Sequence, residues 1–348
     1  MNNDGFELLC IGNALVDIYA NVNKGFCLRN GLNQPVQHIE MERLKKIIAD
    51  CSSESLAPLK YSAGGGAANA AKSAALCGAK VYFTGAIGSS REGGGEGSGD
   101  QLGRFFEEQL RAAGVQLQLP LKTAPTGACL YLTEAGGERC IAASPSAALE
   151  LSPADISAED AGKAKLLVID GFMMNRPVLQ HILELGAGHG IPAAIDLSST
   201  YIAKEYAAQI LDYTRRYSLI LFMNEEEASA FYNAASFYNA ATQQIKREER
   251  KEEREKEELQ EISSFFQSLT DKKPFPVAVI TRAHLGAVCY AAGSVYTAET
   301  KALSPLDSTG AGDVFCGAFL SAWVRGKSIQ ECAVEGNKMA GLFLMRSG

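Results

Sequence analysis

The sequence predicts an α/β fold built on a mostly parallel sheet, and two observations carry that prediction. Short, mainly apolar runs at Leu8–Ile11, Val81–Ala86, Leu166–Ile169, Ala193–Ile195, Leu219–Phe222 and Val277–Ile280 read as buried strands. Helical stretches alternate with them, among them the Ala-rich Gly66–Cys77 and the segment Gln101–Ala113. Strands buried on both faces and separated by helices need crossover connections, which places helices on both sides of the sheet.

Taken in order, Leu8–Ile11 opens the sheet and Gly66–Cys77 is a helix whose small side chains suit tight packing. Residues 14–40 and 115–143 break the rhythm. They lack a long helix and alternate like exposed strands, so they are read as a small β lid able to close over a ligand. Two segments read as insertions. Residues 89–99 (SSREGGGEGSG) are polar and Gly-rich. Residues 231–262 begin with a tandem hexapeptide, FYNAAS then FYNAAT, and continue into an unbroken charged run from Lys246 to Glu258. A six-residue period fits neither a helix nor a heptad, so the repeat is read as a local duplication. The charged run mixes both signs and reads as a solvated helix. With these exceptions the pattern runs the whole chain, so 1–348 is read as a single domain.

Composition excludes several classes. The net charge is −7 and no basic patch stands out, which argues against a nucleic-acid or anionic-membrane partner. No apolar run approaches the roughly 18 residues needed to cross a bilayer. The first residues have neither a basic region nor a long apolar core, so no signal peptide is read there. The nine cysteines are scattered without a C-x-x-C pair, so they read as small core residues of a reducing compartment, and a cytoplasmic location is expected. His38, His181, His189 and His284 show no metal-ligand spacing.

The strongest chemical signal is Asp307-Ser308-Thr309-Gly310-Ala311-Gly312-Asp313, followed by VFCGAFLSAWV. Val314, Phe315, Phe319 and Val324 recur at helical spacing, so a helix is predicted to start near Ala311. Gly310 and Gly312 free the backbone to turn its N–H groups outward, and a helix N-terminus binds anions, phosphate above all. Asp313 then falls in the first turn, beside the anion. A carboxylate there is useful if it takes a proton from an attacking hydroxyl. A plain helix cap and turn would use the same residue types, and the full heptad is what favours chemistry.

DSTGAGD resembles the C-terminal signature of the ribokinase-like, or PfkB, family of carbohydrate and nucleoside kinases. Three further segments resemble family landmarks in the same order. They are Gly12-Asn13-Ala14-Leu15-Val16-Asp17, Ala63-Gly64-Gly65-Gly66-Ala67-Ala68-Asn69, and Asn224-Glu225-Glu226-Glu227. The first leans toward the adenosine kinase-like branch. The resemblance implies a three-layer α/β/α sandwich with a mostly parallel sheet and a small β-sheet lid.

It also implies roles for particular residues. Asp313 would be the catalytic base, with the amides of Ala311, Gly312 and Asp313, shaped by Gly310, cradling phosphate. Arg139 would reach from the lid to the transferred group; a solvent-facing hairpin Arg is the plainer reading. Asn13, Asp17, Gly64, Gly65 and Asn69 would bind substrate, since Asp17 can accept from two neighbouring hydroxyls and Asn13 can both donate and accept. Asn224 and Glu227 would organise Mg²⁺ through water, although a helix cap needs the same pair. Thr281, Gly286, Asn224 and Asn337 would face the nucleotide. Two departures stand out. Ala283 replaces the first Gly of the family's T-x-G-x-x-G loop, and the Gly-rich insert separates Ile87-Gly88 from Asp100-Gln101-Leu102-Gly103.

The expected activity is transfer of the ATP γ-phosphoryl group to a primary hydroxyl of a sugar or nucleoside. Leu15, Phe172 and Val36 are candidates for an apolar slot if the substrate carries a base. ATP and Mg²⁺ are the implied cofactors; a monovalent-cation requirement and the choice between monomer and homodimer are left open. The competing expectation is a catalytically silent sugar- or nucleoside-binding regulator on the same fold.

Overall fold

The computed structural model describes residues 5–90, 98–239, 251–271, 277–300 and 309–346, without the side chains of 237–239, 251–258 and Arg346. The strands, in chain order, are β1 (Leu8–Ile11), β2 (Leu15–Val22), β3 (Val36–His38), β4 (Lys60–Gly64), β5 (Val81–Thr84), β6 (Ile87–Gly88), β7 (Gln116–Gln118), β8 (Leu121–Lys122), β9 (Gly127–Glu134), β10 (Arg139–Ser144), β11 (Leu166–Asp170), β12 (Ala193–Asp196), β13 (Leu219–Asn224), β14 (Val277–Thr281), β15 (Ala287–Ala291) and β16 (Ser294–Ala298). The helices are α1 (Phe26–Arg29), α2 (Met41–Glu54), α3 (Gly66–Leu76), α4 (Gln101–Ala112), α5 (Ala158–Lys163), α6 (Pro177–His189), α7 (Thr200–Glu205), α8 (Ala207–Arg216), α9 (Glu225–Asn239), α10 (Lys251–Thr270), α11 (Ala311–Trp323) and α12 (Ile329–Arg346).

A nine-stranded sheet runs in the order β16-β15-β14-β13-β12-β11-β1-β5-β7. Its strands are parallel from β7 to β14, and β15 and β16 close one edge as an antiparallel meander. Successive residues of β1 feed opposite faces: Leu8 and Cys10 enter one core, Leu9 and Ile11 the other. That alternation is what covering both faces with helices demands. The chain is therefore the expected α/β sandwich, and strand order reverses at β1, with β5 on one side and β11 on the other. Ligand sites of such sheets gather beyond the strand C-termini at this reversal.

The smaller sheet has the order β3-β10-β9-β2-β4. It uses the segments read as a lid but differs in two respects. Residues 60–64 belong to it through the antiparallel pairing of β4 with β2. Residues 116–122 do not: β7 extends the large sheet beside β5, and β8 pairs with β6. Short alternating strands look alike wherever they pair, so local pattern alone could not divide them.

Both segments read as insertions have ends bonded or packed into the fold. Ser89 and Gly99 form a bridge, and the Asp100 N–H donates to the Gly88 carbonyl, so the two halves of the interrupted motif meet. Residues 91–97 lie outside the described residues. Asp100 caps α4 by accepting from the Gly103 N–H (2.8 Å) and also accepts from the Thr126 N–H (2.8 Å) and hydroxyl (2.6 Å). The segment read as the second insertion, from residue 231, reaches the core at its start. Phe231 and Ala235 of the first hexapeptide are fully buried, and Phe231 packs against Phe265 and Phe266 of α10. The first copy is thus core, and α9 runs unbroken from it into the second copy as far as Asn239. Residues 240–250 lie outside the described residues, and the charged run is helical from Lys251 onward, in α10.

Cys10, Cys51, Cys289, Cys316 and Cys332 are buried thiols, as small core residues should be. Cys27 and Cys140, by contrast, are joined in a disulfide that ties α1 to β10 across 113 residues of sequence. Spacing alone could not show this, because the small sheet brings the two together. Among the described residues no helix is long and apolar enough to cross a membrane.

One close approach positions the site. A Cβ on Gly317 of α11 would overlap the Ala70 carbonyl oxygen of α3 and sit 2.8 Å from Ser73 Cβ. The Ser73 hydroxyl donates to the Val314 carbonyl (2.7 Å), and the Ser321 hydroxyl donates to that of Ala74 (3.3 Å). Gly317→Ala must push the helices apart. It is expected to cost about 1–3 kcal/mol, as overpacked cores do, and to lower kcat; urea unfolding and steady-state kinetics on the same variant check both.

Candidate active site

The C-terminal ends of the central strands converge on one cleft. Asn13 follows β1, Asp170 ends β11, Asp196 ends β12, Asn224 ends β13 and Thr281 ends β14. From the other side come Asp17 on β2, the Gly64–Gly66 turn, and the start of α11. Helix α11 begins at Ala311 as predicted, with Gly310 as its left-handed cap at φ 84°. Its first internal bond is Val314 N–H to Gly310 O (3.0 Å), so the amides of Ala311, Gly312 and Asp313 have no acceptor within the helix. Among the described residues nothing lies within 4 Å of where a Gly312 side chain would stand. The dipole at this end of the helix, with donors that have no acceptor within it, suits an anion. Asp307 and Ser308 lie outside the described residues.

Asp313 is held by Asn69, whose Nδ2 donates to Oδ2 at 2.9 Å. Expected as a substrate contact, Asn69 spends this donor on the carboxylate one helix away. Burial pushes the Asp313 carboxyl up to about 7; Asp170 and Asp17 push the same way, while the Asn69 bond and Lys72 oppose them. Asp17 is buried on β2, and burial pushes it to about 7 as well, against the pull of Lys72. A Cβ on Gly64 would overlap the Asp17 carboxyl, and one on Gly65 (φ 100°) would overlap the Asn13 carbonyl. Gly64 is there because β4 runs beside Asp17 on the paired strand β2, and Gly65 because the turn after β4 touches the backbone after β1.

Lys72, one turn after Asn69 on α3, was not singled out in the sequence. Its ammonium donates to the Ala63 carbonyl, and its charge faces Asp17 and Asp313. Asp196 is raised well above the carboxylate range by burial, then by Asp313 and Glu227. Asp170 is raised by burial against bonds from the N–H groups of Phe172, Asn13 and Gly66 and the charge of Arg176. Asp170 and Asp196 were legible in principle, because each is the last residue of a buried parallel strand. Lys72 and Arg176 carry no such signal.

The remaining expected residues lie farther out. Arg139 begins β10 and is exposed at the rim of the small sheet. It stands four residues along the strand from Ala143, whose partner Cys129 is opposite Asp17, about 13 Å at strand rise. Asn224 and Glu227 form a reciprocal helix cap: the Glu227 N–H donates to Asn224 Oδ1 (2.8 Å), and the Asn224 N–H donates to Glu227 Oε2 (2.9 Å). Burial raises the Glu227 carboxyl. Thr281 donates weakly to the Met223 carbonyl (3.5 Å). Asn337 on α12 donates to the Ala298 carbonyl (2.8 Å), and Gly286 (φ 87°) has no room for a side chain between Ala298 and Asn337. Ala283 keeps a left-handed backbone at φ 45° despite its methyl group, so the substitution leaves a glycine-like loop under strain rather than reshaping it.

The sequence profile of the pfkB family carbohydrate kinases matches residues 36–348. The chain belongs to this family. It is 27% identical over 361 residues to adenosine kinase 2 of Arabidopsis thaliana, covering 100% of the chain and 96% of that relative. It is 25% identical over 369 residues to an adenosine kinase of Schizophyllum commune, covering 99% and 96%. Among solved structures, a probable sugar kinase from Rhizobium etli superposes with a TM-score of 0.76 at 26% identity, covering 98% of the chain and 93% of the other. The adenosine kinase of Sinorhizobium meliloti shares the fold, with a TM-score of 0.77 at 24% identity over 98% and 94%. Family membership makes this pfkB protein an ATP-dependent phosphotransferase with an alcohol acceptor of the sugar or nucleoside class.

Two outcomes follow from the geometry. Asp313 gains its charge as pH rises through about 7, so a step that needs the carboxylate loses rate below that pH. Asn69→Ala removes a bond that favours the charged form, and the acid limb of a kcat/KM–pH profile should move upward. Ala283→Gly should relieve about 1–2 kcal/mol of left-handed strain and return about 0.5–1 kcal/mol in chain entropy. The net gain, about 0–1.5 kcal/mol from these two terms, is readable by urea unfolding.

Proposed function

We propose that this pfkB kinase phosphorylates the primary hydroxyl of a nucleoside of the adenosine type. The observation that carries the reading is the pairing of Asp17 and Asp313 under an aromatic roof. Tyr19 of β2 and Tyr131 of β9 stack at 4.9 Å, and Tyr131 feels the charges of both Asp17 and Asp313. Ile141 and Val36 continue the same cross-strand row, and Phe172 stands exposed after β11. A flat base would find aromatic and apolar surface there, whereas a bare sugar leaves it wet.

In this reading Asp17 and Asn13 hold the vicinal hydroxyls, with Gly64 and Gly65 allowing the close approach. Asp313, oriented by Asn69, accepts the proton of the primary hydroxyl. The oxygen bonds to the γ-phosphorus, the bond to the β–γ bridging oxygen breaks, and ADP leaves. The amides of Ala311, Gly312 and Asp313 meet the charge on the transferred group. Arg139 adds its charge only if the small sheet swings inward. Thr281, Gly286 and Asn337 shape the nucleotide side. Mg²⁺ fits the oxygen-only donors of Glu227 and Asp196 and would be held through water, since it keeps several waters and takes few direct protein ligands. When bound it would offset phosphate charge. A silent binding protein would not need a half-buried base with a dedicated orienting amide.

ADP release measured against a panel of nucleosides and sugars tests this. Adenosine-type nucleosides should lead, and Asp313→Asn should lower kcat by about 10²–10⁴ with KM changed only a few-fold. Preference for a free sugar would defeat the nucleoside reading, and full turnover by Asp313→Asn would defeat the mechanism.

A further inference from the structure

Arg176, at the entrance to α6, is tied to the site by a set of bonds that its position in sequence does not suggest. Its Nη1 donates to Asn13 Oδ1 (3.3 Å) and to the sulfur of Met173 (2.9 Å). Its Nη2 donates to the carbonyls of Ala148 (2.8 Å), Leu149 (3.2 Å) and Leu151 (2.9 Å). Asp170 completes the arrangement. It accepts the Phe172 N–H (2.9 Å) and the N–H groups of Asn13 and Gly66, and faces the Arg176 charge.

A guanidinium donates and never accepts. The side-chain atom of Asn13 facing Arg176 must therefore be its oxygen, and the amide nitrogen must point the other way. Asn13 is 6% exposed, and among the described residues its Nδ2 is neither sealed off nor given a protein acceptor. The backbone of Asn13 is held by Asp170 and its side-chain oxygen by Arg176. A side chain that by its chemistry could donate or accept is thereby restricted to donating.

We propose that Arg176 is a positioning residue that fixes the polarity of Asn13, so that the cleft offers a hydrogen-bond donor at this point and selects substrates carrying an acceptor there. The inference rests on the reading above that Asn13 touches substrate. The Nη donors of Arg176 are spent on Asn13, Met173 and the carbonyls of Ala148, Leu149 and Leu151, so in this proposal it acts on substrate recognition and leaves the chemical step to Asp313. One consequence is directional. The ribose diol would give its protons to Asp17 and receive one from Asn13, a pattern that a substrate lacking the acceptor oxygen cannot satisfy.

The test uses adenosine and ATP with the full-length enzyme. Asn13→Asp keeps an oxygen for Arg176 and removes the donor. Arg176→Met removes the clamp, and Arg176→Lys keeps a donor in its place. Asn13→Asp and Arg176→Met should each raise KM for adenosine about tenfold or more, with kcat within about threefold and KM for ATP unchanged. Arg176→Lys should recover part of the loss. In an Asn13→Ala background, Arg176→Met should add less than about twofold, because the two residues act as one unit. Independent, multiplying effects of Asn13→Ala and Arg176→Met would overturn the proposal, as would an unchanged KM in Asn13→Asp. If Arg176→Met does not fold, Asn13→Asp and Arg176→Lys still decide it. A wild-type enzyme inactive on every nucleoside and sugar would instead sink the kinase reading, and this inference with it.

Discussion

The contact between α3 and α11 is the constraint on which the rest of this protein depends. Helix α3 reads GAANAAKSAAL, almost without bulk, and α11 presents Gly317 to the Ala70 carbonyl. Small residues let two backbones approach until side-chain hydroxyls reach the neighbouring carbonyls, as Ser73 and Ser321 do. At that separation a short amide such as Asn69 spans from one helix to a carboxylate on the other. The same packing aims the α11 amides into the cleft. Stability and chemistry thus share one interface.

Around it the protein gathers carboxylates and then restrains their repulsion. Asp17, Asp170, Asp196, Asp313 and Glu227 all approach the cleft, and burial raises each of them. Buried acids this close cannot all ionise unless cations and N–H donors offset them. Lys72 serves Asp17 and Asp313, Arg176 serves Asp170, and the Asn224 N–H serves Glu227. A carboxyl titrating near neutrality can both exist as a base and hold a proton, which suits general-base work.

Much of the large sheet was legible because its strands are buried on both faces and its helices are amphipathic. The glycines of the Gly64–Gly65 turn and the α11 mouth were legible because close approach and positive φ leave few other residues possible. The smaller sheet was harder. Residues 60–64 and 116–118 are short alternating runs of the same kind, and only their partners separate them. Phe231 looked like part of an insertion because it sits in a repeat, yet its burial against Phe265 and Phe266 places it in the core. At Ala283, where the sequence pattern led us to expect a glycine, the backbone is left-handed, a conformation the residue type did not announce.

The sequence by itself determined the α/β class, the places of the main strands along the chain and the motifs at their ends, because periodicity and glycine placement are local properties. It also marked Asp313 and Asp17 as the carboxylates to watch. Tertiary structure alone decided which groups restrain them, since Lys72, Asp170 and Arg176 are remote from their targets in the chain or unremarked beside them. It alone joined Cys27 to Cys140 and put Asn69 on Asp313, 244 residues away. Such pairings depend on where helices and sheets pack, and no local pattern encodes the distance between two elements that meet only in the folded molecule.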